Sequence, residues 1–143
     1  MATIKSYTDV EQSRKLAEIL PLESANMCYR VLPGIKEGMP VQYIAIVPDD
    51  AFFESDIPCW SLAALLSVLP NEIITDKSRF ECHYQIDIRK YDGGDNTTLY
   101  QIAYGNSRGL SGSWHDMINT GEKENLIDAC VDMIENLHKL KML

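Results

Sequence analysis

From Phe80 to Tyr91 the chain alternates: Phe80, Cys82, Tyr84, Ile86 and Ile88 fall on one side, and Glu81, His83, Gln85, Asp87 and Arg89 on the other. A period of two marks a strand with one covered face and one wet face. Asp92-Gly93-Gly94-Asp95-Asn96 follows as a reversal signal, and Thr97–Tyr104 supplies the returning strand of an antiparallel hairpin. Two earlier runs read as strands, residues 26–31 and Val41–Val47, separated by a loop containing Pro33, Gly34, Gly38 and Pro40. Helical spacing appears three times. Thr8-Asp9-Val10-Glu11 has the form of a capping box, and Val10, Ser13, Leu16, Ala17 and Leu20 then share one face up to Pro21. From Cys59 to Leu69 only Ser61 and Ser67 are polar, which predicts a buried helix that begins near Pro58. Between Glu122 and Lys141, Leu126, Cys130, Met133, Leu137 and Leu140 form a stripe, with acids early and lysines late to suit the helix dipole.

These elements predict an α+β fold: an antiparallel sheet of about four strands packed against three helices, in a single α+β domain over residues 1–143. Residues 105–121 contain four glycines and read as a connector without regular structure.

Composition narrows the function classes. The chain has 143 residues and a net charge of −8, and no segment is a basic patch. Residues 41–78 hold Lys77 as their one base against six acids. Phosphate backbones need clustered cations, so no nucleic acid is expected as a partner. Cys28, Cys59, Cys82 and Cys130 are widely spaced and form no CxxC pair, which argues against zinc and redox motifs and for free thiols. Cys82, on the apolar side of its strand, is expected to be covered and slow to react. The longest apolar run is about half the ~20 residues that span a bilayer, so no membrane association and a cytoplasmic location are expected. No phosphate loop, nucleophile elbow or calcium loop is present, and no cofactor is implied.

Three regions are candidate sites. Gly105–Asp116 offers glycine amides, Arg108, Ser111, Trp114 and His115, groups able to receive an anionic or cyclic small ligand. The acid-rich segment Asp49–Asp56 encloses Phe52 and Phe53; either one of them plugs the core beside Trp60, or they anchor a protein partner. The wet face with His83, Gln85 and Arg89 is the third. Cys82 and His83, although adjacent, leave a strand on opposite faces and cannot act as nucleophile and base.

Several phrases resemble a known group. Leu16–Pro21 with Leu22-Glu23-Ser24-Ala25, Pro58-Cys59-Trp60-Ser61-Leu62-Ala63-Ala64-Leu65-Leu66, Ile127-Asp128-Ala129-Cys130 and Leu137-His138-Lys139-Leu140 are similar to small uncharacterised proteins encoded by phages, prophages and mobile elements of gut bacteria. The phrases cover about a third of the chain, mostly as apolar helix, and the group has no established activity. The resemblance implies shared packing and nothing catalytic. The leading expectation is a non-enzymatic accessory protein of a phage or mobile element that binds a host protein or small molecule. One alternative is a small hydrolase or transferase using the 105–116 loop, with His115 as base and Asp116 or a serine assisting. Another is a structural subunit that self-associates as a homodimer through Phe52 and Phe53.

Overall fold

A computed structural model describes residues 5–32, 36–49, 51–77 and 80–143. The fold is α+β, with three α-helices and two antiparallel sheets among the described residues. The chain forms two compact units, Ser6–Val68 and Leu69–Leu143, with Lys5 belonging to the second. The strands thus divide between two sheets, of three and four strands, where the pattern had predicted one sheet of about four.

In the first unit, α1 (Val10–Ala17) is capped by Asp9, one residue beyond the expected Thr8. The Asp9 carboxylate accepts from the Gln12 amide at 2.8 Å, and the Gln12 side chain accepts from the Asp9 amide at 3.1 Å. Asp9 is the stronger capping acceptor and Gln12 closes the box reciprocally, which frees Thr8 for another task. Thr8 is fully buried, its Oγ1 lies 2.7 Å from Ser13 Oγ, and it accepts from the Trp60 amide at 3.2 Å. Its own amide donates to the Trp60 carbonyl at 3.0 Å, and Tyr29 Oη donates to the Thr8 carbonyl at 2.7 Å. One polar residue thereby joins the start of α1 to two strands.

Those strands are β1 (Met27–Val31), at the centre of its sheet, with β2 (Tyr43–Ile46) on one side and β3 (Ile57–Cys59) on the other. The expected helix at Pro58 begins later: Ile57, Pro58 and Cys59 are strand, and α2 covers Leu62–Val68. Pro58 lies opposite Cys28, between the register pairs Met27–Cys59 and Tyr29–Ile57. Trp60 and Leu65 are fully buried and Leu69 nearly so, whereas Leu62 and Leu66 are half-buried. Pro33 and Gly34 of the expected loop lie outside the described residues.

The second unit holds β4 (Glu72–Lys77), β5 (Phe80–Gly94), β6 (Thr97–Arg108) and β7 (Ser113–Asn119), paired in sequence order, and α3 (Leu126–Lys139). The β5–β6 turn places Asp95 and Asn96 at φ 51° and 60°, the left-handed pair that matches strand twist in a two-residue hairpin. Asn125 caps α3, accepting from the Asp128 amide at 2.8 Å. Helix α3 packs on β6. Its Ile127, Cys130, Met133, Ile134 and Leu137 are fully buried, as are Ile102 and Tyr104 of β6; Leu140, expected in the stripe, is 53% exposed beyond the helix end. Tyr104 Oη donates to the Pro70 carbonyl at 2.6 Å. Among the described residues no helix is long and apolar enough to cross a membrane.

The cysteines are free thiols; Cys28, Cys59 and Cys130 are buried and Cys82 is half-exposed. Burial pushes the Cys130 thiol up to about 12 and the Cys28 thiol to about 11, the latter helped by the Asp56 carboxylate. The expectation that Cys82 is well covered is therefore revised, because its strand position lies at the sheet's β4 side, beyond the buried Ile102–Tyr104 centre.

Two outcomes follow. Leu65→Ala removes a fully buried leucine and is expected to lower unfolding free energy by about 2–5 kcal/mol in urea melts. Under native conditions a maleimide should label Cys82 first, with Cys28, Cys59 and Cys130 labelled only as fast as the chain opens, in a mass-spectrometric time course.

Candidate functional site

Two surfaces hold the predicted site residues, one in each unit. The glycine-rich segment is not a connector: β6 runs on to Arg108, Gly109–Gly112 turn, and β7 returns. Gly109 and Gly112 have φ of 74° and 66°, and the Gly112 amide donates to the Gly109 carbonyl at 3.2 Å. Gly105 is different, a strand residue beneath the Trp114 ring. A Cβ added at Gly105 would lie 2.3 Å from the His115 carbonyl oxygen and 2.8 Å from Trp114 Nε1. The indole thus covers a bare stretch of backbone, as aromatic residues do across from strand glycines. Glycine density alone suggests irregularity; an aromatic positioned to cover one glycine is the available contrary signal.

Strand alternation then sorts the candidates. Arg108 is paired with Ser113 and Asn106 with His115, so these four share one face. Arg108 donates to Asn106 Oδ1 at 2.9 Å and to Tyr84 Oη at 3.3 Å. Ser111 stands in the turn, its hydroxyl 2.9 Å from that of Ser113. Trp114 lies on the opposite face with Asp116. Arg108 and His115 therefore share a face, with Ser111 in the turn beside Ser113, while Trp114 is not among them. Nor is Asp116 beside His115, so the acid–base pair envisaged for a hydrolase does not form.

On the face with Trp114, a bulge between Tyr104 and Gly105 shifts the β7 register and brings Asp116 opposite Gly105. Arg89, from the wet side of β5, reaches across β6 and donates to both Asp116 carboxylate oxygens, at 2.6 and 3.0 Å. It also donates to Asp87 at 2.8 Å and Gln101 at 3.1 Å. Trp114 Nε1 donates to Asp116 at 2.7 Å. The Arg89 guanidinium, then the indole N–H, holds the Asp116 carboxyl below its ordinary range. His83, farther along the same face, contacts Glu72 and lies 3.4 Å from Glu81, which raises its pKa. The result is a flat polar surface with an indole 39% exposed. Strand alternation places His83, Gln85 and Arg89 there but not Trp114 or Asp116, because the glycines around them make 105–121 read as a connector.

The other surface belongs to the first unit. Phe52 is half-buried and lines an open groove of about 470 Å³ with Leu22, Glu23, Ala25, Asn26, Pro48 and Ala51. Neither phenylalanine is a core plug. Phe53 is 58% exposed, and the Arg30 guanidinium stacks 3.7 Å from its ring centre. Arg30 also makes a two-pronged ion pair with Asp56, at 2.8 and 3.0 Å, and Asp56 accepts from the Phe53 amide at 2.7 Å. Asp50, part of the same acidic segment, lies outside the described residues. Asp49, Phe52, Phe53 and Glu54 thus follow a strand end whose loop is pinned by Arg30. The groove's apolar wall comes from Leu22 and Ala25, within the short 3₁₀ segment Leu22–Ser24 and its cap, which sequence reading had treated only as the chain after a helix.

The Arg30 pairing, followed by the Phe53 amide, brings the Asp56 carboxyl down to about 2. A carboxyl depressed in the folded state stabilises it above the unfolded value of about 3.9, and that contribution fades as pH falls towards 2. Urea melts of the parent protein should therefore lose stability between about pH 4 and pH 2. Asp56→Asn, less stable at neutral pH, should show a flatter profile in that window.

No family model matches the chain, and neither the curated proteins nor the solved structures offer a match; its function is to be read from these two surfaces.

Proposed function

We propose that the protein is a non-enzymatic binding protein whose Phe52 groove receives an apolar segment of a protein partner, in the manner of an accessory protein of a phage or mobile element. The groove is the observation that supports this most directly. About 470 Å³ is within the range that holds one or two side chains or a small ligand, and its wall is apolar with Glu23 and Asn26 as the polar groups. Arg30, Asp56 and Phe53 fix the loop that delivers Phe52, so little ordering is left to oppose association. The phage or mobile-element setting is supported only by the resemblance of its helical phrases.

A second reading has its own support. Trp114 stacked over Gly105, with Asp116, Arg89 and Gln101 locked together beside it, is a rigid platform for a flat polar ligand such as a sugar ring. A hydrolase or transferase at 105–116 is the weaker alternative, since His115 and Asp116 point to opposite faces.

The test compares three proteins as bait in cross-linked pull-downs from host lysate: the parent, Phe52→Ser, and Trp114→Ala. Loss of the captured partner by at least tenfold in Phe52→Ser alone, with an unchanged melting curve, is the expected outcome. Loss in Trp114→Ala alone would move the site to the open sheet face.

A further inference from the structure

We propose that the free edge of β2 binds an extended, basic and apolar segment of a partner protein by strand addition, with the segment's end seated in the Phe52 groove. This rests on the reading of that groove as a protein-binding surface and names the chemistry of what occupies it.

The Leu32 amide donates to the Gln42 carbonyl at 2.8 Å, and the register continues through Arg30–Ile44 and Cys28–Ile46. Hydrogen-bonded and non-bonded pairs alternate along an antiparallel ladder, so residues 42, 44 and 46 face β1. Tyr43 and Ala45 therefore point their amides and carbonyls outward, along an edge that no other strand occupies among the described residues.

Natural sheets blunt such edges with charge, proline or a covering element. The opposite edge of this sheet shows the device: Pro58 of β3 sits opposite Cys28 at a non-bonded position, where an amide would face out, and proline has none. Strands β1, β4, β5, β6 and β7 each carry a charged side chain. Strand β2 carries none, its one ionisable group being the Tyr43 phenol, and the ten residues Met39–Pro48 contain no charge. They are also apolar at the surface: Met39, Val41, Ile44 and Val47 are 56%, 59%, 46% and 70% exposed. An edge left unguarded in this way is suited to main-chain pairing, with side-chain pockets adding selectivity.

Pro48 connects the edge to the groove, since it lies two residues past the end of β2 and lines the groove wall. Charge selects the partner. Glu23 lines the groove and Asp49 directly follows Pro48, while Arg30 is already paired with Asp56 and Arg14 is engaged with the Tyr43 hydroxyl at 3.2 Å. A basic segment is attracted; a second copy of this acidic chain is repelled by the same groups.

The probe is a fluorescent synthetic peptide, Lys-Val-Lys-Ile-Lys-Val-Lys, followed by anisotropy. Its relatives are one with glutamates for lysines and two methylated on alternate sets of backbone amides. Strand addition predicts saturable binding of the basic peptide and loss of at least tenfold for the acidic one. It also predicts a like loss for one methylated peptide only, since alternate amides face the edge. Ala45→Pro removes an outward amide without breaking the ladder to β1, and should cause the same loss with an unchanged circular dichroism melt. Ile44→Lys, which keeps the backbone but adds a like charge, serves if the proline variant unfolds. If binding survives both edge variants and either methylation but fails in Phe52→Ser, the groove reading stands and strand addition falls. If binding is lost in the edge variants but not in Phe52→Ser, strand addition stands and the groove reading falls. Absence of peptide binding overturns the proposal; a dimer seen by sedimentation and abolished by Ala45→Pro would then assign the edge to a second copy.

Discussion

The second unit depends on the two-sidedness of β6. Ile102 and Tyr104 are fully buried on the side facing α3, while Ala103 and Gly105 occupy the other side. Side chains there must be small because the Arg89–Asp116 pair and the Trp114 ring cross directly above them. A one-residue slip would place Tyr104 under Arg89 and a glycine against α3, losing core and surface together. The bulge after Tyr104 places Asp116 opposite Gly105, on the face that Arg89 occupies.

In the first unit the corresponding constraint is polar. Thr8 satisfies its hydroxyl, amide and carbonyl against Ser13, Trp60 and Tyr29, all in a buried setting. A buried hydroxyl left unpaired costs about 1–3 kcal/mol, so the residue fixes α1, β1 and β3 together or not at all. It also explains why the helix cap passes to Asp9. Thr8 has the right side chain for a cap, but its side chain already serves the core.

Much of this fold was legible in the sequence, and the rest failed for identifiable reasons. The β5–β6 hairpin could be read because Phe80–Tyr91 alternates without a break and Asp92–Asn96 can do little except turn. Strand β3 could not, since Ile57-Pro58-Cys59 is too short to show a period and contains a proline that normally argues against a strand. Strand β7 was hidden by the glycines that precede it, whose turn-forming and strand-lining roles look alike until Trp114 is seen lying on Gly105. At the candidate sites, Phe52 and Phe53 stood out by composition, yet their division of labour rests on Arg30, twenty-two residues earlier in the chain. Pairing over that separation leaves no local pattern. Trp114 and His115 were similarly grouped by proximity in sequence, and strand geometry places them back to back.

The uncharged stretch through β2 has a consequence for the life of the chain before any partner arrives. Six or seven consecutive residues of high strand propensity and no charge are the kind of segment that templates amyloid-like stacking. During synthesis, Met39–Pro48 follows β1 out of the ribosome and emerges before β3 exists to complete the sheet. What keeps such a chain dispersed is colloidal: the net charge of −8, with Asp49, Asp50, Glu54 and Asp56 soon after the stretch and prolines near both of its ends. High salt, or a pH near the isoelectric point of about 4.8, weakens that repulsion. The shelf life of the purified protein is thus governed by its buffer as much as by its fold.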